Sequence, residues 1–175
     1  MEKRMIFDLH ARLAPRPGAA ETLLSTMDRF GIDRALVSAG GVIDIDLMSR
    51  QVIEGGGVDV DADNDAVLAA CERHDGRLLP LFFANPHRDP GVYRDRAAEF
   101  RGVEISPAVH GIDLTDDRTI ALVSVAAEFG HPVYIVCLGR PGAGAADLIT
   151  LAKRFPDVTF VLGHCGFVGI DLYAL

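Results

Sequence analysis

Short apolar runs alternate with longer stretches of helical periodicity along almost the whole chain. Runs at positions 5–7, 35–37, 78–83, 102–105, 133–136 and 158–162 are nearly continuous in apolar character, the pattern of strands buried on both faces of a parallel sheet. Between them apolar residues recur at helical spacing. These are Leu23, Leu24, Met27 and Phe30; Val67, Leu68 and Cys71; Ala97, Ala98 and Phe100; Ile120, Leu122, Val123 and Ala126; and Leu148, Ile149, Leu151 and Ala152. Asn64-Asp65 and Asp116-Asp117 supply helix N-terminal caps, while Gly31, Gly76 and Gly130 supply stops. The pattern predicts an α/β fold of about six β/α units, built either as an open doubly wound sheet or as part of a closed eight-stranded barrel.

One stretch breaks the rhythm. Positions 40–63 separate the second strand from its helix and contain Gly55-Gly56-Gly57. A long segment after a strand's C-terminal end reads as an insertion over a site, the alternative being a mobile surface loop. The acidic turn at 59–65 resembles the start of a calcium loop, but Asn64 replaces the required Gly and Ala70 the bidentate Glu, so it reads as helix capping.

At 175 residues the chain suits a single domain spanning 1–175. Its 49% hydrophobic and 24% charged residues argue for a packed protein. The net charge of −8 is spread as single acidic residues among Arg, which excludes a polybasic surface for nucleic acid or anionic lipid. Cys71, Cys137 and Cys165 form neither a disulfide framework nor a Cys-x-x-Cys pair, so a reducing, cytoplasmic setting is expected. The start lacks a signal-peptide core because Asp8 and His10 interrupt its apolar stretch. No apolar run approaches the about 18 to 20 residues of a spanning helix.

Two places carry candidate chemistry. Residues two apart on a strand share a face, so Asp8, His10 and Arg12 are expected to point into one site from the first strand. Gly163-His164-Cys165-Gly166 closes the sixth run, placing an imidazole at the same end of the sheet, with glycines that let backbone approach a ligand. His74, His87, His110 and His131 have no ligand-like spacing, although His87 and His110 follow the third and fourth runs and could line the mouth of the same face.

With these residues in order, the chain resembles the amidohydrolase-related family of metal-dependent TIM-barrel hydrolases and decarboxylases, similar to aminocarboxymuconate semialdehyde decarboxylase. The resemblance rests on Ile6-Phe7-Asp8-Leu9-His10, Gly31-Ile32-Asp33-Arg34-Ala35, Asn64-Asp65, Asp75-Gly76-Arg77 and Asn85-Pro86. It continues through Arg101-Gly102-Val103-Glu104, Gly130-His131-Pro132-Val133, and Arg154-Phe155-Pro156-Asp157 running into Gly163-His164-Cys165-Gly166. It implies a (β/α)8 barrel of which this chain supplies about six units. It also implies a divalent metal, usually zinc, held by a His-x-His pair on strand one, a His on strand five and an Asp on strand eight, with a strand-six His beside the metal-bound water.

Carried over residue by residue, His10 matches the first ligand and His164 the strand-six His. The pattern departs at Arg12, which stands where the second His belongs, and at Val136, which falls where the strand-five His belongs. A catalytic zinc needs about three protein ligands and an open position, and a guanidinium cannot donate to a cation. Glu104 and Cys137 are the residues that could complete a set with His10 and His164. Parity along a strand sets Cys137 and Val136 on opposite faces, and the alternative for Cys137 is a small buried hydrophobe.

The resulting expectation is a metal-dependent hydrolase acting on a small carboxylate- or carbonyl-containing substrate, with a decarboxylase or a non-catalytic acid- or partner-binding relative as alternatives. His164 and Glu104 are its candidate catalytic residues, and His10, His164 and Glu104 its candidate metal ligands. Arg12 and Arg140, the latter in a glycine-rich loop, are its candidate substrate contacts. Six units leave two strand edges open, so a homo-oligomer or a second protein is expected to cover them. Residues 167–175 read as the start of a sixth helix without a stop, so a longer parent chain is also expected.

Overall fold

The structure, a computed structural model, describes residues 5–74 and 76–166; the expectation for 167–175 lies outside them. Among the described residues there are seven parallel strands: β1 (Phe7–Leu13), β2 (Arg34–Ala39), β3 (Leu78–Pro80), β4 (Phe82–Phe83), β5 (Val103–Ile105), β6 (Val133–Ile135) and β7 (Phe160–Leu162). They pair in chain order, β1-β2-β3 and then β4-β5-β6-β7. β3 and β4 are two halves of the single predicted run 78–83. Pro80 has no N–H to continue the ladder, and after it the chain turns from β2 toward β5, with Leu81 N–H bonded to Val37 O and Phe82 N–H to Gly102 O. The six predicted strands are therefore all present as the six-unit part of a (β/α)8 barrel.

Helices connect the strands: α1 (Ala19–Phe30), α2 (Ile45–Glu54), α3 (Asn64–Arg73), α4 (Gly91–Arg94), α5 (Pro107–His110), α6 (Asp117–Glu128) and α7 (Ala145–Arg154). The helix expected at 97–100 is reduced to α4 and a single 3-10 turn, Ala97–Glu99, which still buries Phe100 completely. Caps sit close to where the sequence placed them. Asp63 rather than Asn64 caps α3, accepting from Ala66 N–H. Asp116 caps α6, accepting from Arg118 N–H at 2.9 Å; hydrogen bonding from Arg118 lowers its carboxyl to about 2. Replacing Asp116 by Ala is expected to cost about 1 kcal/mol, the usual worth of such a cap, in a thermal melt at neutral pH.

Strand parity sorts the sheet into two faces. Val103, Ile105, Val133, Ile135 and Cys137 face the helices and pack against Leu122, Val123, Leu148 and Leu151. Leu36, Leu81, Tyr134 and Val136 share the opposite, inner face. Burial on both sides is what makes these runs continuously apolar. Asn64 of α3 ties the helix layer to the sheet, donating to Phe83 O and accepting from Phe83 N–H.

The segment 40–63 contains α2 and is held at several points. Gln51, nearly buried, donates from Nε2 to Ala108 O at 2.9 Å and to Val109 O at 3.1 Å. Val42, Val58, Val60 and Ala62 pack on the core around β2. Gly57 lies so close to α5 that an added Cβ would sit 2.2 Å from His110 O. Among the described residues no helix is long and apolar enough to cross a membrane.

Candidate functional site

The inner face of β1 changes hands within the strand. Asp8 pairs with Ala35 and Ala11 with Val37, so β1 spends one residue more than β2 over this interval. This is a β-bulge, a device that re-aims side chains and is common beside active sites. Below it Phe7 and Leu9 line an apolar cavity of about 460 Å³ with Leu36, Leu81, Tyr134 and Val161. Above it His10 and Arg12 reach the inner carboxylate of Glu104. Asp8 does not join them as the simple alternation predicted; its carboxylate accepts from His10 N–H at 3.0 Å.

Glu104 is the centre of the group. It comes from the middle of β5 and is completely buried. His10 Nε2 lies 3.1 Å from Oε2, and Arg12 Nη2 donates to Oε1 at 2.5 Å. Burial pushes this carboxyl upward, but the hydrogen bond with His10 and the charge of Arg12 outweigh it and hold it below the usual carboxylate range. Ser38, fully buried, also favours the ionised form, although its hydroxyl makes no hydrogen bond of ordinary geometry. Glu104 thus contacts two inner side chains at once, one on each carboxylate oxygen.

Three further contacts lock the pair. Arg12 Nη1 donates to Ala39 O at 2.7 Å, and its guanidinium lies over the Phe83 ring, 5.1 Å from the centroid. The His10 ring stacks on Tyr134, with centroids 3.9 Å apart and planes 7° from parallel. Burial first, and then the nearby Glu104 charge, raise the Tyr134 hydroxyl above its ordinary value.

His164 follows β7 with φ 50°, a left-handed conformation uncommon for a residue with a side chain. Its ring lies 6.2 Å from that of His10 and nearly perpendicular to it. Partial desolvation, then the neighbouring His10 and Arg12, lowers its pKa from the ordinary histidine value. The preceding Gly163 serves Tyr134 and β6, because a Cβ there would sit 2.6 Å from Ile135 O and 2.8 Å from the Tyr134 ring. That clearance, rather than room for a ligand, is what this glycine provides.

Two cavities have Met48 of α2 in their linings. One, of about 460 Å³, is walled by Ala14, Pro15, Val42, Ile45 and Phe83, and Arg12 is the charged side chain on its lining. The other, of about 380 Å³, is lined by Val52, Ile53, Ala108, Val136 and His164. Among the described residues Arg12 uses two of its five N–H donors, on Ala39 O and on the Glu104 carboxylate.

The other predicted residues lie elsewhere. Arg140 pairs with Asp113 at 3.0 Å and lines neither cavity. Cys137 faces the helix layer, with burial pushing its thiol up to about 11, whereas Val136 faces inward as parity required. The His87 ring reaches His110 O, and the buried His110 ring reaches Val60 O, so both hold loops. The tether of Gln51 and the stacking role of Tyr134 escaped the sequence reading.

A divalent metal does not fit this donor set. Among the described residues no group of three or more His, Cys, Asp or Glu side chains is arranged to hold one, and the carboxylate between His10 and Arg12 already carries a guanidinium. Unit charges about 4 Å apart interact by ~4 kcal/mol at an effective dielectric of about 20, so a divalent ion on Glu104 would meet roughly twice that in repulsion from Arg12. Of the zinc site expected from the resemblance, the structure shows His10 and Glu104 in one ion-paired cluster with Arg12.

Parallel strands in chain order, helices outside them and polar groups gathered toward the strands' C-terminal ends define a β/α barrel of the TIM type. The sequence profile of the amidohydrolase family matches residues 7–173, and the chain belongs to that family. Among solved structures it is similar to 5-carboxyvanillate decarboxylase from Novosphingobium aromaticivorans, complexed with manganese and 4-hydroxy-3-methoxy-5-nitrobenzoic acid. The TM-score is 0.63 at 17% identity, covering 93% of this chain and 65% of the other. It is also similar to 2,6-dihydroxybenzoate decarboxylase from Rhizobium, with a TM-score of 0.62 at 14% identity over 94% of this chain and 67% of that one. A third is a protein from Acinetobacter baumannii assigned as a 2-pyrone-4,6-dicarboxylic acid hydrolase, with citric acid bound. Here the TM-score is 0.57 at 13% identity over 91% and 57%. The chain thus spans between just over half and about two thirds of these relatives' length. No curated protein matches it.

Proposed function

We propose that the chain acts on a small organic acid, by hydrolysis or decarboxylation, and that Arg12 holds the acid's carboxylate. The observation that carries this reading is the position of Arg12, which is the charged residue on the lining of an otherwise apolar cavity of about 460 Å³. That volume and lining suit a single ring or a short dicarboxylic acid, and a planar guanidinium is matched to a carboxylate. The similar structures support the same ligand class, since the compounds in their names are acids. His164, on the lining of the second cavity with its ring 6.2 Å from that of His10, is the group we assign to proton transfer.

Calorimetric titration with 2,6-dihydroxybenzoate, 4-hydroxy-3-methoxy-5-nitrobenzoate and citrate, each beside its amide, tests this. At least one acid is expected to bind saturably, to lose about tenfold or more in affinity in Arg12→Gln, and to bind better than its amide. Equal binding of acid and amide, or no dependence on Arg12, would remove the reading. Release of carbon dioxide from the bound acid assigns decarboxylation, and opening of a lactone diacid without it assigns hydrolysis.

A second reading is a metal-dependent reaction at His10, Glu104 and His164, favoured by the manganese named with the carboxyvanillate decarboxylase. It requires Arg12 to leave Glu104, and metal content of the protein purified without chelator decides it.

A further inference from the structure

We infer that Arg12 is a built-in cation that takes the electrostatic place of a divalent metal, so that the site neutralises Glu104 and receives an anion without one. The inference deepens the acid-binding reading, but it stands on the geometry around Glu104. A fully buried carboxylate requires a compensating charge. Here the guanidinium supplies it at 2.5 Å, with His10 on the other oxygen.

The cation is also pinned. Ala39 O holds Nη1, the Phe83 ring lies under the guanidinium, and Glu104 holds Nη2. These contacts come from β2, β4 and β5, so the fold and not the ligand sets its position. The bulge between Asp8 and Ala11 brings Arg12 to the inner face in register with His10. Arg12 also lines the cavity that Ile45 and Met48 of α2 help to wall, where a fixed positive charge is useful to an entering carboxylate or to an oxyanion formed from it. A guanidinium does this without ligand exchange and without dependence on metal supply.

The test is metal titration of the full chain with no acid present, so its result is independent of acid binding. Protein stripped with chelator is titrated with Mn²⁺ and with Zn²⁺, read by bound metal after gel filtration and by thermal shift. Wild type is expected to retain substoichiometric metal and to show no saturable shift. Arg12→His, which adds a ligand and removes the charge, is expected to bind either ion at least about tenfold more tightly, the scale on which changes around a metal site act. If Arg12→His folds poorly, Arg12→Gln removes the charge alone and is expected to gain weaker but measurable binding. Stoichiometric metal in wild type that is lost in His10→Ala overturns the inference. So does the absence of any gain in both Arg12 variants.

Discussion

Arg12→Met is expected to destabilise the protein by about 3 kcal/mol at pH 7, the lower end of the ~3–5 kcal/mol cost of removing one partner from a buried ion pair. The lower end applies because the Arg12 side chain is 35% exposed, which weakens the pair by solvent screening. For a chain of this size that corresponds to a fall in melting temperature of roughly 6–12 °C. The asymmetry of the pair makes the prediction specific. Glu104 is completely buried, so losing Arg12 strands a carboxylate that cannot reach water. Losing Glu104 instead leaves a guanidinium that can turn toward solvent, and Glu104→Gln is expected to cost about half as much. The double replacement Arg12→Met with Glu104→Leu removes both charges and is expected to recover most of the loss.

The pH dependence supplies an independent sign. In the wild type Glu104 is held below its ordinary value of 4.5, so its contribution is complete above that pH and is lost as pH falls through the depressed value. In Arg12→Met the hydrogen bond with His10 remains but the charge of the guanidinium no longer helps it offset burial, and the carboxyl is expected to rise above 4.5. Stability attributable to Glu104 then increases as pH falls through that raised value, because the folded state binds the proton more tightly than the unfolded one. Denaturant melts at pH 7 and pH 5 should show the gap between wild type and Arg12→Met narrowing at the lower pH. A constant or widening gap would show that the pair does not carry the charge balance of the site.

How much of this was readable from the chain differs by residue. The six strands were legible because burial on both faces leaves Val103-Glu104-Ile105 and Val133-Tyr134-Ile135 almost without polar positions. The one charged position within the first of these, Glu104, is readable from the sequence only as a candidate metal ligand; its pairing with His10 and Arg12 comes from the structure. The broken helix at 91–99 was not legible, since three apolar positions fit a 3-10 turn as well as an α-helix. Nor was the bulge in β1. One added residue leaves no mark on a short strand's apolar pattern, yet it decides that His10 and Arg12 face inward while Asp8 turns back to the backbone. Cys137 could be separated from the site by parity alone, and the structure places it accordingly. Arg140 could not, because a loop residue has no parity and only the salt bridge to Asp113 fixes where it goes. Gln51 sits on the polar side of an amphipathic helix, where nothing local reveals that its amide will meet the carbonyls of α5.

Gly163→Ala is the replacement expected to disturb the site most without touching a charged residue. The methyl group would meet Ile135 O at 2.6 Å and the Tyr134 ring at 2.8 Å. The carbonyl belongs to the β6 backbone, whose Ile135 is paired with Leu162 of β7, so it cannot swing aside. The ring can move only by leaving its stack on His10, 3.9 Å away. Overpacking of this kind costs about 1–3 kcal/mol, and with a backbone atom as the obstacle the upper part of that range is expected. Gly130→Ala is the control: its φ of 64° makes the substitution strained, yet no atom lies within 4 Å of the added carbon, so it should lower stability by about 1 kcal/mol through backbone strain alone. The chain has no Trp and three Tyr, which makes the near-ultraviolet circular dichroism a readout of tyrosine packing. Gly163→Ala should reduce that signal and weaken acid binding together, while Gly130→Ala should lower the melting temperature and leave both unchanged. If Gly163→Ala keeps the tyrosine signal and the acid affinity of wild type, then the stack of Tyr134 on His10 does not position the imidazole, and Glu104 alone must do so.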